Sequence, residues 1–446
     1  MKPSWTGSMK KTTRPPLTIN QLPAEMVLLG GLVIDALQEN IFQADLVIRN
    51  GVIDYIGSRS VYSSTADIID ITGHYIAPGF FDMHVHFREP GNEEAENLMS
   101  GADAALAGGF TGVAMMPNTS PPIDNVELFN QLENKISGHL VDVHAIPAVT
   151  AMRSGEVLSD MAALTRAGAL AFTDDGSGLQ KGEVMKQALK TASALHTAIL
   201  VHAEDESFAT GVINESTVSR DLNLPGISNL SESVMVARDI LIAETLSAKV
   251  HFQHVSTLEA VELIRQAKRR HLKVTAETAP HYFALTDEST RSLSADFKMK
   301  PPLRTESDRQ AIIRGLADGT IDAIATDHAP HRTEAKALGL AKAPFGVTGL
   351  ETSLGVGLKY LVEPGLITLV RLVKLMAIGP RHILGMDFDL LKTGKQANLT
   401  VFDQSYSWIC DAEKHYTRSI NSPFKGCELK GRVKLVINKG KYWQPE

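Results

Sequence analysis

Residues 79–91 read GFFDMHVHFREPG: an apolar strand that ends in two histidines, an arginine and a Pro-Gly turn. A side-chain period of two puts Asp82, His84 and His86 on one face, with Arg88 next on the same face if the strand continues. Three polar side chains in a row would be costly in an ordinary core, so either this face holds something or it does not line an interior.

The same texture recurs along the middle of the chain. Apolar runs appear at GVAMMPN, VDVHAIPAV, GALAFTDD, TAILVHAED, KVHFQHVS, KVTAETAPHY and IDAIATDHAP. Helix-like stretches such as AENLMSGADAALAGG, GEVMKQALKTASAL and LEAVELIRQAKRR lie between most of them. Strands alternating with helices predict a parallel α/β fold, and eight of them are the number that closes a (β/α)8 barrel. An open doubly wound sheet shares that rhythm. The TIM-like barrel is favoured because nearly every run ends in a polar residue: His84 and His86, Asn118, Asp174 and Asp175, His202, His254, Glu277 and His281, Asp327. An active site on the top face of a barrel draws on many strand ends in this way.

Both ends of the chain read differently. Residues 26–73 are short alternating runs with an Asn50-Gly51 hairpin signal, and GKQANLTVFD and GRVKLVINKGKYW return to that pattern near the C-terminus. Neither segment can bury a core alone, so the two predict one small β-sandwich domain over 25–76 and 390–446. The barrel would occupy 77–389, and the basic Ser/Thr/Pro-rich residues 1–24 would form a flexible leader.

Composition narrows the class. Hydrophobic residues make up 43% and charged residues 21% of 446, and the net charge of -7 argues against nucleic-acid binding. Cys410 and Cys427 are too few for a disulfide framework or a thiolate zinc site, consistent with reduced thiols in a cytoplasmic protein. No run approaches the ~20 apolar residues of a membrane helix.

The strand-end residues suit metal binding. Imidazoles at i and i+2 can chelate one ion, and Asp82 just below is placed to accept a remaining ring N–H. His202, His254 and Asp327 arrive at other strand ends, and a two-metal site would need a bridging group from Asp174 or Asp175. Two metals would lower the pKa of a bound water and polarise a carbonyl. Asp327 could then move the proton from the attacking water to a leaving nitrogen, which is metal-assisted amide hydrolysis. Arg88 beside such a centre calls for an anion between them, and its fork suits a carboxylate, with Asn118 and His331 completing the pocket. The plain alternative for Arg88 is an ion pair with Glu89 or another acid at the rim. His328, next to Asp327, faces away, and the other histidines, His251 among them, lack a site context.

Together DMHVHFREPG, FTDDG, VHAED, QHVST, ETAPHYF, PPLR, TDHAPH and FGVTGLET resemble the dihydroorotases of the amidohydrolase superfamily, in their longer bacterial form. Hydantoinases and allantoinases share single motifs but not the set. The resemblance implies zinc-dependent, reversible closure of N-carbamoyl-L-aspartate to L-dihydroorotate in pyrimidine biosynthesis. It implies His84, His86, Asp175, His202, His254 and Asp327 as ligands of Zn2+, two per chain, with Asp327 also the catalytic acid/base. It implies Arg88, Asn118 and His331 as holders of the substrate carboxylate, with backbone around Phe345 and Gly346 facing the ring. It further implies a cytoplasmic homodimer and, in part of the family, a complex with a transcarbamoylase. Homologues that only support such a partner typically lose metal histidines, and all are present here. One departure is Lys300, where this form often carries an asparagine.

Overall fold

A computed structural model describes residues 17–445. The expected leader therefore lies outside the described residues as far as position 16. Within its remainder, Asn20–Gln21 already pairs antiparallel with Lys441 and Tyr442, so ordered pairing starts ahead of residue 25.

The middle of the chain forms two parallel sheets. One holds β1 (Phe80–Val85), β2 (Phe110–Met115) and β3 (Asp142–Ala145). The other holds β4 (Ala171–Phe172), β5 (Ala198–Val201), β6 (Val250–Phe252), β7 (Val274–Thr278) and β8 (Ala323–Ile324), again in chain order. Hydrogen bonds join both pairs of edges. Thr173 N–H beyond β4 donates to Pro147 O beyond β3 at 3.1 Å, and His86 N–H at the end of β1 donates to His328 O beyond β8 at 2.8 Å. Val85 and His328 form a parallel bridge at the same seam.

The intervening helices start where the sequence supplies caps. Asn97 and Ser100 make a capping box for Leu98–Ala107, Thr257 caps Leu258–Arg269, and Thr305 with Asp308 caps Glu306–Asp318. Val261, Ile264, Ile312 and Leu316 are buried faces of the last two, which pack on the strands. The two stretches that follow β8 are broken helices, with π-turns at Leu358–Val362 and Lys374–Ile378. Gly379 follows the second because a Cβ there would collide with the Asp322 carbonyl oxygen.

Between the strands, Phe81, Met83 and Met116 interleave with Ala171, Ala198, Ala323 and Ala325 in one apolar cluster. Large residues thus meet small ones across the interior. Arg381 closes this cluster from below. It donates to Gly79 O at 2.6 Å, Ala377 O at 2.9 Å and Thr111 Oγ1 at 2.9 Å, with its guanidinium 5.2 Å from the Phe81 ring centroid.

Strands from both chain ends form one nine-stranded mixed sheet. Leu399–Ile409 lies between Tyr75–Pro78 and Glu428–Asn438, which knits the C-terminal part to the N-terminal part. Asn50 and Gly51 take φ of 50° and 79°, as their hairpin turn requires. The sheet buries Met26, Leu28, Leu46, Leu399 and Leu435 in a core of its own. It meets the parallel strands through Thr400 Oγ1 to Gly109 O at 2.6 Å and Asn438 Nδ2 to Leu140 O at 2.9 Å. No helix among the described residues is long and apolar enough to cross a membrane.

Replacing Arg381 with Met strips donors from three buried acceptors, each costing about 1–3 kcal/mol when unsatisfied. Arg381→Met should therefore lower stability by ~3 kcal/mol or more, read as a lower midpoint of urea unfolding. An unchanged midpoint would remove Arg381 as the tie between β1, β2 and the last helices.

Candidate metal centre

The end of β1 departs from strict alternation. Its pairing with β2 slips between Asp82 and Val85, and Met83 points into the apolar interior cluster. Asp82 consequently turns to the strand-end loop of β8, where Thr326 N–H at 3.1 Å and the Thr326 hydroxyl donate to its carboxylate. Asp82 is therefore not the acceptor of a histidine ring N–H. Glu277 on β7 takes that place: its Oε1 lies 2.7 Å from His84 Nδ1. His251, set aside in the sequence, stands behind it with Nε2 at 3.3 Å from Glu277 Oε2.

Beyond this support the imidazoles converge on Asp175. Its Oδ1 lies 3.4 Å from His84 Nε2, 3.2 Å from His202 Nδ1 and 3.4 Å from His254 Nε2, and its Oδ2 lies 3.4 Å from His86 Nε2. Asp327 Oδ1 completes the group at 3.0 Å from His86 Nε2 and 3.6 Å from His84 Nε2. Asp174 faces the other way, accepting from Thr150 N–H at 3.0 Å and from the Thr150 hydroxyl. Successive residues at a strand end point to opposite sides, so only Asp175 reaches the histidines. His254 and Asp327 hold φ of 35° and 49°, a region that is costly outside glycine and that the surrounding structure must enforce.

All six side chains are buried. Burial opposes ionisation throughout, yet the charges of Asp175 and its neighbours hold His84 well above the ordinary imidazole range and lift His202 to about 9. The same contacts, again against burial, hold Asp175 and Asp327 below the usual carboxylate range and Glu277 at about 2. Despite these contacts, His84 Nε2, His202 Nε2 and His254 Nδ1 are buried without a hydrogen-bond partner.

Carboxylates and ring nitrogens packed this way, with unpartnered nitrogens among them, fit a divalent metal. Two buried triads offer ligand atoms within 4.8 Å of one another: His84, Asp175 and His254, and His84, His86 and Asp327. They share His84, and His202 adjoins the first through His254, whose Nε2 is 2.8 Å from His202 Nδ1. Both cysteines lie elsewhere, at Cys410 and Cys427 on the C-terminal segment.

Near these triads stand Arg88, Asn118 and His331, the residues expected to hold an anion. Arg88 donates Nε–H to Pro330 O at 3.2 Å, and among the described residues no carboxylate lies within ion-pair distance of it. Glu89 pairs with Lys135 and accepts from Leu98 N–H at 2.9 Å, so the plain alternative for Arg88 does not occur. Burial brings the Arg88 guanidinium down to about 10, with Asp327 and Asp175 opposing the shift. Asn118 Oδ1 lies 2.9 Å from His86 Nδ1, so Asn118 orients a histidine. His331 Nε2–H donates to Phe345 O at 2.6 Å, and burial together with Arg88 pushes His331 down to about 3, keeping it neutral.

Gly346 N–H donates to Lys298 O at 2.9 Å and Gly346 O accepts from Asn421 Nδ2 at 3.1 Å, so both of its backbone groups are engaged within the protein. Lys300 does not point outward: its Nζ lies 2.6 Å from Glu204 Oε2 and 5.6 Å from the Phe345 ring centroid. Glu204, absent from the sequence-derived set, is also 3.6 Å from His202 Nε2. His328 turns away as expected, toward Glu96 at 3.3 Å.

Known proteins resemble this chain in sequence and in fold. The Dihydro-orotase-like family profile matches residues 73–260. A protein of Geobacter metallireducens named Dihydroorotase is 44% identical over 93% of this chain and 98% of its own. The Dihydroorotase of Syntrophus aciditrophicus is 42% identical over 94% of this chain and 98% of its own. Among solved structures, an L-hydantoinase (dihydropyrimidinase) from Arthrobacter aurescens superposes with TM-score 0.82 at 23% identity, over 93% of this chain and 94% of that one.

The Glu277–His84 contact yields a direct test. Partners that fix a ligand histidine typically contribute roughly 10–100-fold to metal affinity. With Zn2+ as the probe, Glu277→Gln should weaken divalent-metal binding by that factor in a chelator competition titration, whereas Asp82→Asn should act mainly on stability. Equal zinc affinity for wild type and Glu277→Gln would remove Glu277 from the centre.

Proposed function

The chain belongs to the dihydroorotase family, and we propose from that premise that it catalyses the reversible cyclisation of N-carbamoyl-L-aspartate to L-dihydroorotate. The observation that carries the reading is Arg88: a partly buried guanidinium without a carboxylate partner, beside a carboxylate–imidazole cluster. Such a cation requires an anionic substrate group, which dihydroorotate supplies and a plain hydantoin ring does not. The likeness to hydantoinases is one of fold and accords with a closed (β/α)8 barrel, as do the hydrogen bonds at both sheet seams. We read the nine-stranded sheet as folded over its own core into the sandwich expected from both chain ends.

In this reading His84, His86, Asp175, His202, His254 and Asp327 hold zinc, two ions per chain. The metal would supply an acidified water and a polarised ring carbonyl. Arg88 binds the substrate carboxylate, with the Asn118 amide and His331 beside it. In the hydrolytic direction the water oxygen bonds to the ring carbonyl carbon and the ring C–N bond breaks. Asp327, ionised in the resting site, takes the water proton and passes it to the departing nitrogen. Ring closure reverses each transfer and releases water. Lys300 and Glu204 form a charged pair at the rim facing Phe345. We place the protein in the cytoplasm as a homodimer, with a transcarbamoylase as a further candidate partner.

The purified chain supplied with Zn2+ should hydrolyse dihydroorotate, followed by loss of ring absorbance. Absence of turnover with zinc, with and without an added transcarbamoylase, would overturn the enzyme reading. Arg88→Met should raise KM for dihydroorotate roughly 100-fold or more while leaving zinc content intact. Loss of zinc instead would mean that Arg88 supports the centre and not the substrate. Asp327→Asn should lower kcat by roughly 10²–10⁴-fold.

A further inference from the structure

Asp174 and Asp175 are adjacent, both buried, and turned to opposite sides. Neighbouring buried carboxylates need positive charge close by. The imidazoles face Asp175, and Thr150 supplies Asp174 with neutral donors only. The remaining cation comes from a hairpin after β3, closed by the bridge between Thr150 and Leu158.

Arg153 in that hairpin reaches under the acidic pair. Its Nη2 donates to Asp175 O at 2.5 Å, to Asp174 O at 3.2 Å and to Ser177 Oγ at 3.2 Å. To bring it there, Met152 and Arg153 both adopt left-handed backbone, with φ of 55° and 53°. Two successive non-glycine residues in that region are costly, and the turn is held by Met152 N–H donating to Asp124 Oδ2 at 2.7 Å. Apolar burial does not explain the conformation, because Met152 and Val157 on the hairpin are 65% and 67% exposed. Gly176 fits the same arrangement. It takes φ of 85°, and a Cβ there would press on Arg153 Nη2 and Asn118 Nδ2, each at 3.1 Å.

We propose that Arg153 is a positioning residue for the metal centre: it clamps the main chain of Asp174 and Asp175 so that the Asp175 carboxylate faces the four imidazoles. The proposal rests on the reading of Asp175 as a metal ligand. Charge alone does not do this, since one nitrogen, Nη2, must be held within reach of the carbonyls of two successive residues and a hydroxyl.

The test is a zinc affinity measurement on the full chain, by competition with a chromophoric chelator. It compares wild type, Arg153→Met, Arg153→Lys, Asp175→Asn and the two double variants. Arg153→Met should weaken zinc binding roughly 10–100-fold, and Arg153→Lys should lose less. In the Asp175→Asn background either Arg153 change should alter affinity by no more than about twofold, because the group it acts through is already gone. The same fold-loss in both backgrounds would make Arg153 a general structural clamp and overturn the proposal. So would wild-type affinity in Arg153→Met. If Asp175→Asn itself keeps wild-type affinity, the metal-ligand reading fails, a result separable from the failure of Arg153 alone. Should Arg153→Met not fold, as judged by circular dichroism of the metal-free protein, Arg153→Lys carries the same two-background comparison.

Discussion

One buried carboxylate, Asp175, stands in contact with four imidazoles, and this crowding constrains everything around it. Removing so many ionisable groups from water costs several kcal/mol per ion unless charge and hydrogen bonding compensate. The strands deliver the groups from different points of the chain: His84 from β1, Asp175 just after β4, His202 after β5, His254 after β6 and Asp327 after β8. A parallel fold whose strand ends all face one way is what lets residues so distant in sequence meet. The left-handed backbone at His254 and Asp327 reflects the same demand, since each lies just past its strand and must turn its side chain inward.

Rigidity of that meeting point comes from outside it. Below, Arg381 and the interior apolar cluster fix β1 and β2. Alongside, Glu232 accepts from Ser256 and Thr257, including Ser256 N–H at 3.1 Å and Thr257 N–H at 2.9 Å, and so holds the loop that follows His254. Glu277 takes one ring nitrogen of His84 on β1 and Asn118 one of His86 just beyond it, leaving the other nitrogens toward the centre. The chain-end sheet contributes indirectly: Asn421 bonds His331 N–H and the carbonyls of Ala329 and Gly346, tying the pocket wall to the C-terminal segment.

Much of this was legible in the sequence, and the boundary of legibility has a physical cause. Local periodicity put His84, His86 and Arg88 on one face, and strand-end position singled out His202, His254 and Asp327. The choice of Asp175 over Asp174 needed the family resemblance, because neighbours in sequence differ only in which way they face. Asp82 was misjudged as the partner of a histidine ring because alternation assumes an unbroken strand, and the slip after Asp82 breaks it. Glu277, Glu204 and Arg153 carry no local signal for their partners. Glu277 meets His84 across 193 residues and Glu204 meets Lys300 from a different strand end, while Arg153 reaches Asp175 only through the turn of its hairpin, so the fold brings these groups together. The one continuous sheet at the chain ends was also beyond pattern reading, since parallel pairing of residues 26–29 with 67–70 skips over two intervening strands.

Charge balance then explains the residue that departs from the family pattern. A lysine at position 300 would add repulsion toward a divalent metal if it stood alone. Here Glu204 lies 2.6 Å from its ammonium, and the pair cancels. That leaves Asp175, Asp327 and Glu277 against Arg88, so with neutral imidazoles the centre carries excess negative charge. Without a metal, contact with these carboxylates favours the protonated forms of His84 and His202 against their burial. A divalent cation would do the same work without protons, and the orphaned ring nitrogens and the carboxylates are the groups that would hold it. In the proposed function Arg88 would then face a centre that no longer needs its charge, the condition under which it could bind the carboxylate of an incoming acid.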